Sequence, residues 1–305
     1  MKKFLLFFWD LFYRIRVFIK EKTHLILDYF YSRRVRPIKV MTIEETVDRI
    51  LESSCSVARF GDGEIKLTLN TPLAFQEANE KLCGELKKTL SSHEEELLVC
   101  VPDIFGRDSL AQYNDPAAKH WKKHLSFYRR AWYACLDPDK VYGNAFISRP
   151  YNNYRDKSGC ASYFSHLKKV WDGRDVVIAE GAKSRLGMGN DLLDNAASVR
   201  RVLCPVAQCY DRADEIVAEI EKFDKSCLIL LAIGPTASVI PMRLIGSGYR
   251  VIDIGNIDTE YEWFRMGSET KVPIKDKMVY EAGAGADVGE ATDEKYLSQI
   301  VTEIK

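Results

Sequence analysis

The chain has 305 residues, of which 46% are hydrophobic and 29% charged, a composition that excludes a disordered or fibrous protein. This length suffices for one large α/β domain or two small ones, with an ample core in either case. Lys and Arg balance Asp and Glu at 44 each, so no overall positive field favours nucleic acid as a partner.

The eight cysteines are scattered, form no C-x-x-C pair, and in several cases lie within apolar runs typical of strands. We therefore expect buried reduced thiols of a cytosolic protein rather than disulfides or zinc ligands. His120 and His124 are four residues apart in "KHWKKH", but no acidic residue lies between them as in a zinc-protease helix. The histidines predict a solvated helix face, not a metal site.

The first forty residues are basic and rich in aromatic side chains. Residues 1–40 have a net charge of +7, and the remaining 265 residues have a net charge of −7. The first apolar run, Phe4–Trp9, is too short to span a bilayer, and no small-residue cleavage site follows it. Drawn as a helix, this segment places four charged residues near one stripe: Asp10, Arg14, Glu21 and Asp28.

A helix with an aromatic apolar surface and flanking Lys and Arg suits an anionic membrane surface. We therefore predict that residues 1–40 form a basic amphipathic helical segment and that the protein is cytoplasmic and peripheral on the inner face of the cell membrane. The alternative is a helix or helical hairpin packed on the domain or on a second subunit. Pro37 marks the boundary, because the residue before proline is disfavoured in a helix.

Helix-like and strand-like patterns alternate from residue 41 onward and predict one domain over residues 41–305. Thr42 is a typical helix N-cap, with Glu45 three residues later in a capping-box pattern. Helical patterns cover residues 42–54, 75–92, 108–137, 213–223 and 292–304, the last with Thr292 as its cap. Strand-like patterns cover residues 56–60, 95–105, 142–151, 175–181 and 198–205.

Residues 226–255 contain a strand, a turn, a helix, a glycine turn and a second strand. This βαβ pattern with nearly continuous apolar strands is typical of a parallel sheet covered on both faces. The predicted fold class is therefore α/β, a doubly wound and mostly parallel sheet with helices on both faces, plus the N-terminal amphipathic helical segment. Residues 283–289, "GAGADVG", follow no predicted strand and are rejected as a dinucleotide fingerprint.

In a doubly wound sheet, ligands bind at the carboxyl ends of the strands. Four predicted loops lie there: "GDGE" (61–64), "EGAKSRLGMGND" (180–191), "GPTAS" (234–238) and "GNIDTEYEW" (255–263). In the first loop, Asp62 and Glu64 can reach one hard divalent ion, Mg²⁺ or Mn²⁺. Gly61 and Gly63 would let a diphosphate approach the backbone, and Arg59 precedes them. Acidic residues in glycine turns are common, so a plain turn also fits.

Two other loops have residues that suit phosphate groups. Lys183, Ser184 and Arg185 lie among glycines and could cradle a polyphosphate, although a solvated loop also fits. Gly234 and Thr236 begin a predicted helix, whose free N–H groups could hold a phosphate. The alternative for this loop is an ordinary strand-to-helix turn.

Four motifs in one order resemble the GT-D type glycosyltransferases, a bacterial domain family with a D-x-E motif that was long listed as of unknown function. The motifs are "RFGDGE", "EGAKSRLGMGNDLLDNAASVRRVLCP", "LAIGPTASVI" and "GYRVIDIGNIDTEYEWF", and "NAFISRPY" adds support. The resemblance extends from about Thr42 to Phe264. Four ordered motifs over most of a chain are far more specific than any one of them.

The resemblance implies a Rossmann-like α/β domain that uses a UDP-sugar donor and a divalent metal. It implies that Asp62 and Glu64 form the metal and diphosphate site and that Glu262 is the candidate catalytic base. Such a base would deprotonate an acceptor hydroxyl as it attacks the anomeric carbon. Members commonly have His where this chain has Asn256, a second candidate catalytic residue that can hydrogen-bond but cannot titrate.

We therefore expect a metal-dependent glycosyltransferase that acts in bacterial surface polysaccharide or glycoprotein synthesis. Its expected acceptor is a glycan, a glycopeptide or a lipid-linked glycan. The alternative is a catalytically weak scaffold subunit that binds nucleotide-sugar in a glycan assembly complex, with Asn256 as the first cause of weak catalysis. A third possibility is a nucleotidyl or phosphoryl transferase that uses the same acids and metal.

Overall fold

A computed structural model describes the backbone of residues 2–283 and 288–305 and their side chains except those of residues 2–8 and 11. Most of the rejected segment 283–289 therefore lies outside the described residues. The strands are β1 (Lys39–Val40), β2 (Ser56–Arg59), β3 (Leu97–Val101), β4 (Val141–Asn144), β5 (Asp175–Gly181), β6 (Ser198–Cys204), β7 (Leu228–Ala232), β8 (Arg250–Asp253) and β9 (Ile300–Glu303).

The strands form one sheet in the order β1-β4-β3-β2-β8-β7-β5-β6-β9, and every described pair is parallel. The helices are α1 (Lys2–Ser32), α2 (Ile43–Glu52), α3 (Asp62–Thr68), α4 (Glu80–Leu90), α5 (Asp115–Cys135), α6 (Cys160–Leu167), α7 (Ala213–Ile220), α8 (Ile240–Leu244), α9 (Ile257–Arg265) and α10 (Glu294–Ser298).

The central strands are covered on both faces. Residues 176–180 of β5 and residues 228–231 of β7 are all buried, although successive side chains of a strand point to opposite faces. Helices must therefore cover both sides of the sheet, because an exposed face would leave alternate residues in water. This arrangement confirms the predicted α/β fold class. Six of the eight unpaired cysteines are buried, whereas Cys83 and Cys135 are half-buried.

Local sequence signals account for several element boundaries. The Thr42 hydroxyl accepts a hydrogen bond from the Glu45 N–H at 3.1 Å, and the Glu45 carboxylate accepts one from the Thr42 N–H at 2.8 Å. This capping box begins α2 as predicted. Asn79 caps α4 by accepting from the Leu82 N–H at 2.8 Å, so this helix begins at Glu80 and not at residue 75 as predicted.

The C-terminal prediction of one helix over residues 292–304 was wrong. Asp293, not Thr292, caps the short helix α10, and residues 300–303 then form β9 at the edge of the sheet. Backbone pairing with β6 decides the outcome here, because the Ile304 N–H donates to the Leu203 carbonyl at 2.8 Å.

Helix α1 packs its C-terminal half on α5. Glu21 pairs with Lys123 at 2.9 Å, and Asp28 pairs with Arg129 at 2.6 Å. The His24 ring stacks on Phe127, with ring centroids 4.4 Å apart. None of the described helices is both long enough and apolar enough to cross a bilayer.

Candidate active site

The chain leaves the sheet in opposite directions on the two sides of the β2–β8 pair. Strands β3, β4 and β1 lie beyond β2, whereas β7, β5, β6 and β9 lie beyond β8. Ligands bind at such a switch point in doubly wound sheets, outside the carboxyl ends of the strands. A cleft of about 800 Å³ lies at this place, lined by residues that follow β2, β4, β5, β7 and β8.

Most of the predicted site residues line this one cleft: Arg59, Gly61, Asp62, Gly63, Glu64, Ser184, Gly234 and Asn256. The other four predicted residues are not part of the cleft lining: Lys183, Arg185, Thr236 and Glu262. The four loops that the sequence singled out therefore converge, but each contributes only some of its polar side chains.

The predicted acid–glycine turn is the first turn of helix α3, with Gly61 as its N-cap. The Glu64 carboxylate folds back and accepts a hydrogen bond from the Gly61 N–H at 2.7 Å. Burial raises the pKa of Glu64 above its usual range. Glu64 is thus partly engaged in capping its own helix. Gly63 lies close to Leu73, because a Cβ atom added at Gly63 would come within 3.1 Å of the Leu73 side chain.

Asp62 is the more accessible of the two acids, with its side chain 38% exposed at the cleft. Its carboxylate contacts Lys66 Nζ at 3.1 Å and lies 3.6 Å from His120 Nε2. Burial raises the pKa of Asp62, but the interactions with His120 and Lys66 outweigh burial and lower it overall. Asp62 is therefore an ionised carboxylate that faces the cleft.

These residues fit a divalent ion that takes most of its ligands from a substrate. The described residues include no group of three or more His, Cys, Asp and Glu side chains that could hold a metal by themselves. Mg²⁺ is commonly held by one or two carboxylates together with substrate phosphates, which the ionised carboxylate of Asp62 and the neighbouring Glu64 can provide. The donor set thus suits a metal–diphosphate complex better than a bare metal ion.

Arg59, the last residue of β2, forms hydrogen bonds with residues at the ends of β8 and β4. Its guanidinium donates to Asp253 Oδ1 at 2.7 Å, to the Ala145 carbonyl at 3.1 Å and to Ser148 Oγ at 2.6 Å. Asp253 is the last residue of β8, and Ala145 follows β4. Arg59 is therefore mainly occupied in holding the cleft walls together, although it also lines the cleft.

A carboxylate that the sequence analysis missed, Glu281, lies between two cations in the cleft. It pairs with Arg149 at 2.5 Å and with Lys271. Burial alone would raise the pKa of Glu281, but Arg149 and Lys271 outweigh burial and lower it to about 2. Asn256 Nδ2 also donates to Glu281 Oε1 at 3.1 Å, so the predicted catalytic amide contacts this acid.

The loop after β5 divides its residues between the cleft and the protein interior. Ser184 lines the cleft, and the Lys183 carbonyl accepts a hydrogen bond from the Met278 N–H at 3.0 Å. Arg185 is buried and donates to the carbonyls of Asp276 at 2.7 Å and Gly289 at 2.5 Å. Arg185 anchors the C-terminal segment and does not reach the cleft, which corrects its expected place in a phosphate cradle.

The loop after β7 places its glycine, but not its threonine, in the cleft. Gly234 has φ of +59°, a left-handed conformation that favours glycine, and it lines the cleft near the Phe75 ring. Thr236 is fully buried, and its hydroxyl has no hydrogen-bond partner among the residues that the structure describes. Thr236 is therefore not among the residues that line the cleft.

Of the two acids Asp258 and Glu262 on helix α9, only Asp258 lines the cleft. Lys277 Nζ contacts Asp258 at 2.6 Å and Glu262 at 3.4 Å. The Asn190 amide donates to the same two carboxylates at 2.7 and 2.6 Å. Glu262, the predicted catalytic base, is thus a buried partner of Lys277 in this structure and does not line the cleft.

Comparison with known proteins agrees with this architecture. A family model described as the glycosyltransferase GT-D fold matches residues 57–282. A solved structure described as the highly conserved domain of unknown function 1792, with a distinct glycosyltransferase fold, has a TM-score of 0.87 and 40% identity over 91% of this chain and 100% of that one. A new glycosyltransferase of the same domain type from Streptococcus sanguinis has a TM-score of 0.83 and 38% identity over 88% of this chain and all of that one.

Two curated relatives are longer than this chain. Glycosyltransferase GlyD of Streptococcus pneumoniae serotype 4 is 41% identical over 88% of this chain and 33% of its own length. The probable glycosyl transferase Gly of Streptococcus gordonii is 38% identical over 88% of this chain and 39% of its own length. The chain thus spans between one third and two fifths of these relatives. These matches confirm the resemblance found in the sequence, and the chain belongs to the family with the glycosyltransferase GT-D fold.

Proposed function

We propose that this protein transfers a sugar from a UDP-sugar to a glycan acceptor, in a reaction that depends on Mn²⁺ or Mg²⁺. The observation that carries the proposal is the convergence of the ionised carboxylate of Asp62 with Arg149 and Lys271 in one cleft at the switch point of the sheet. A diphosphate and its metal need anionic and cationic partners at one place, which this cleft provides.

Asp62 would hold the metal together with phosphate oxygens of the donor, and Glu64 would assist it. When bound, the metal would neutralise negative charge that develops on the leaving diphosphate. Arg149 and Lys271 would bind the same diphosphate from the protein side. Phe75 and Tyr280, whose ring centroids are 5.2 Å apart, provide an aromatic surface on which a nucleobase can stack.

The acceptor hydroxyl needs a carboxylate base that reaches the cleft, because geometry decides first which group can act as a base. Asp253 is paired with Arg59, and Asp258 is paired with Lys277. Glu281 lines the cleft and contacts Asn256 and two cations. We assign Glu281 as the base in place of the predicted Glu262, which would instead orient Asp258 through Lys277.

Donor binding would also change the properties of Glu281. Its pKa is lowered to about 2 because Arg149 and Lys271 outweigh its burial. A donor diphosphate would compete for these two cations and so weaken their hold on the carboxylate. The pKa of Glu281 would then rise towards that of an effective base as the donor binds.

The natural acceptor belongs to bacterial surface polysaccharide or glycoprotein synthesis in this proposal. The protein would act at the inner face of the cell membrane, as the charge of residues 1–40 suggested. Family membership supports the transferase class, and the cleft supports a diphosphate donor.

A panel of UDP-sugars, each assayed for release of free UDP with Mn²⁺ and with a chelator, tests this function. We expect slow metal-dependent UDP release from at least one donor. Calorimetry with UDP, with and without Mn²⁺, separates binding from turnover. Binding without any turnover across the panel would favour the scaffold alternative, and absence of UDP binding would contradict the proposal.

A further inference from the structure

The N-terminal helix α1 exposes large apolar side chains on the side that faces away from α5. On the protein side lie Glu21, His24 and Asp28, which contact α5. On the opposite side, five large apolar residues follow helical spacing, and all five are exposed: Phe12, Ile15, Ile19, Ile26 and Phe30. We call these five residues the apolar stripe. A helix that only packed on its own domain would have the reverse arrangement.

Basic side chains border the apolar stripe along its length. Lys22 lies over the Phe18 ring at 5.3 Å, and Arg33 lies over the Tyr29 ring at 3.9 Å. Arg16 and Lys20 lie between stripe residues in the sequence and are exposed. Aromatic and aliphatic residues flanked by Lys and Arg match the acyl boundary and the anionic head groups of a bilayer, respectively.

The contacts with α5 fix where α1 lies relative to the cleft. Glu21 meets Lys123, and Asp28 meets Arg129, so the two helices run parallel. The first turns of α5 line the cleft, through Ala117 among others. In this register, α1 extends beyond the start of α5 by about ten residues, or roughly 15 Å at helical rise. The free end of α1 therefore projects past the cleft end of α5.

We propose that the apolar stripe of α1 lies in the head-group region of an anionic membrane and holds the mouth of the cleft at the lipid surface. If the proposed transferase function holds, the acceptor is then a glycan carried on a lipid, because its sugar end would be presented beside the cleft. Membrane docking itself does not depend on the reaction.

Co-sedimentation of the full chain with vesicles of 70% phosphatidylcholine and 30% phosphatidylglycerol tests the docking. The Ile15→Glu/Ile19→Glu variant should lower the partition coefficient at least tenfold, and vesicles of phosphatidylcholine alone should bind the unaltered chain at least tenfold more weakly. The Lys87→Gln/Lys88→Gln variant makes the same charge change at exposed positions of α4 and should stay within twofold. Equal binding of the Ile15→Glu/Ile19→Glu variant would overturn the proposal.

Two further measurements test the orientation of the cleft at the membrane and the alternative that a second copy of the chain covers the apolar stripe. Amide hydrogen exchange with vesicles should slow in α1 and in residues 107–117 beside the cleft, and protection of α1 alone would refute the proposed orientation. Light scattering without vesicles should give the same mass for the unaltered chain and for the Ile15→Glu/Ile19→Glu variant. A dimer that this variant dissociates would instead assign the stripe to a second copy.

The same samples separate this inference from the proposed function. The Ile15→Glu/Ile19→Glu variant should release UDP from a soluble UDP-sugar at the rate of the unaltered chain, because neither residue lines the cleft. Vesicle binding without UDP release would reject the transferase proposal and leave the docking intact. UDP release without vesicle binding would reject the docking and leave the transferase proposal intact.

Discussion

The two acids of the D-x-E motif have different environments although they are only two residues apart. Asp62 is ionised and faces the cleft between Lys66 and His120. Glu64 accepts the Gly61 N–H, and burial raises its pKa. The sequence analysis treated the two acids as equivalent metal ligands. In the structure, Asp62 is an accessible anion, whereas Glu64 also caps the helix.

The first prediction concerns the charge of Asp62. Asp62→Asn keeps the size of the side chain but removes the anion, so metal-dependent UDP affinity should fall at least tenfold, or about 1.4 kcal/mol. Calorimetry with and without Mn²⁺ measures this difference. Glu269→Gln removes an equal charge from an exposed acid in the cleft lining and should change the affinity less than threefold. Equal losses in both variants would indicate only a general charge effect.

The second prediction tests whether Glu281 or Glu262 is the catalytic base. Glu281→Gln should keep or strengthen UDP binding, because Arg149 and Lys271 lose an anionic competitor, and should lower turnover by roughly 10²–10⁴-fold through loss of the base. Glu262→Gln should lower turnover much less, since Glu262 is buried behind Asp258. Steady-state UDP release measures both. The reverse order of the two effects would restore Glu262 as the base.

The third prediction concerns the unpartnered hydroxyl of Thr236. Thr236→Val removes a buried polar atom that has no hydrogen bond to any described residue, so the free energy of unfolding should stay equal or rise by about 1 kcal/mol. Ser238→Ala is the matched control, because the Ser238 hydroxyl donates to the Arg59 carbonyl at 2.7 Å and its loss should destabilise by about 1 kcal/mol. Urea unfolding measures both, and tenfold weaker UDP binding by Thr236→Val would contradict the structural assignment.

At the scale of elements, the sequence predicted the parallel sheet because its strands are buried on both faces. Continuous apolar runs such as residues 228–231 leave few alternatives to a covered parallel strand. The prediction for the C-terminal segment was wrong because "SQIVTEI" fits the spacing of either a helix or a strand. Long-range pairing of β9 with β6 decided between the two. Pairing between distant segments is not visible in one sequence.

The same limit applies to the candidate site. The sequence located the four loops, because the carboxyl ends of parallel strands share one edge of the sheet. It could not find Arg149, Lys271 or Glu281, which come from three separate segments and meet only through tertiary contacts. It also could not tell that Arg185 is buried by the carbonyls of the C-terminal segment.

The fourth prediction concerns the contact between α1 and α5. Asp28 and Arg129 form an ion pair whose side chains are 14% and 10% exposed. Asp28→Asn would leave the Arg129 charge largely unpaired, so docking of α1 should weaken by about 1–3 kcal/mol. Amide exchange in residues 21–32 should become faster. Asp139→Asn in the exposed Arg36–Asp139 pair is the control and should leave this exchange unchanged. Unchanged exchange in Asp28→Asn would show that the apolar contacts alone hold α1.

At the scale of the whole molecule, α5 connects α1 to the cleft. One face of α5 contacts α1 through Lys123 and Arg129, and its first turns line the cleft through Ala117 and His120. His124 and Trp132 are buried within the same helix and hydrogen-bond to each other at 3.0 Å. The packing of α5 should therefore influence the stability of the entire domain.

The fifth prediction is an acid-sensitive stability that depends on His124. Burial lowers the pKa of His124 from 6.5 to about 4, so the unfolded chain binds a proton that the folded chain does not bind until the pH approaches 4. This contribution to stability is fully present above pH 6.5 and decreases as the pH falls from 6.5 to about 4. The total loss is roughly 3 kcal/mol, at 1.36 kcal/mol per pKa unit.

His124→Gln removes this titration and keeps an acceptor for the Trp132 indole N–H. The free energy of unfolding, measured by urea titration at pH 7, 6 and 5, should therefore fall less steeply with acidification in His124→Gln than in the unaltered chain. His93→Gln, at an exposed position, should keep the original slope. If both variants lose stability as steeply as the unaltered chain, other buried groups of the domain, and not the interior of α5, must bind the protons taken up on acid unfolding.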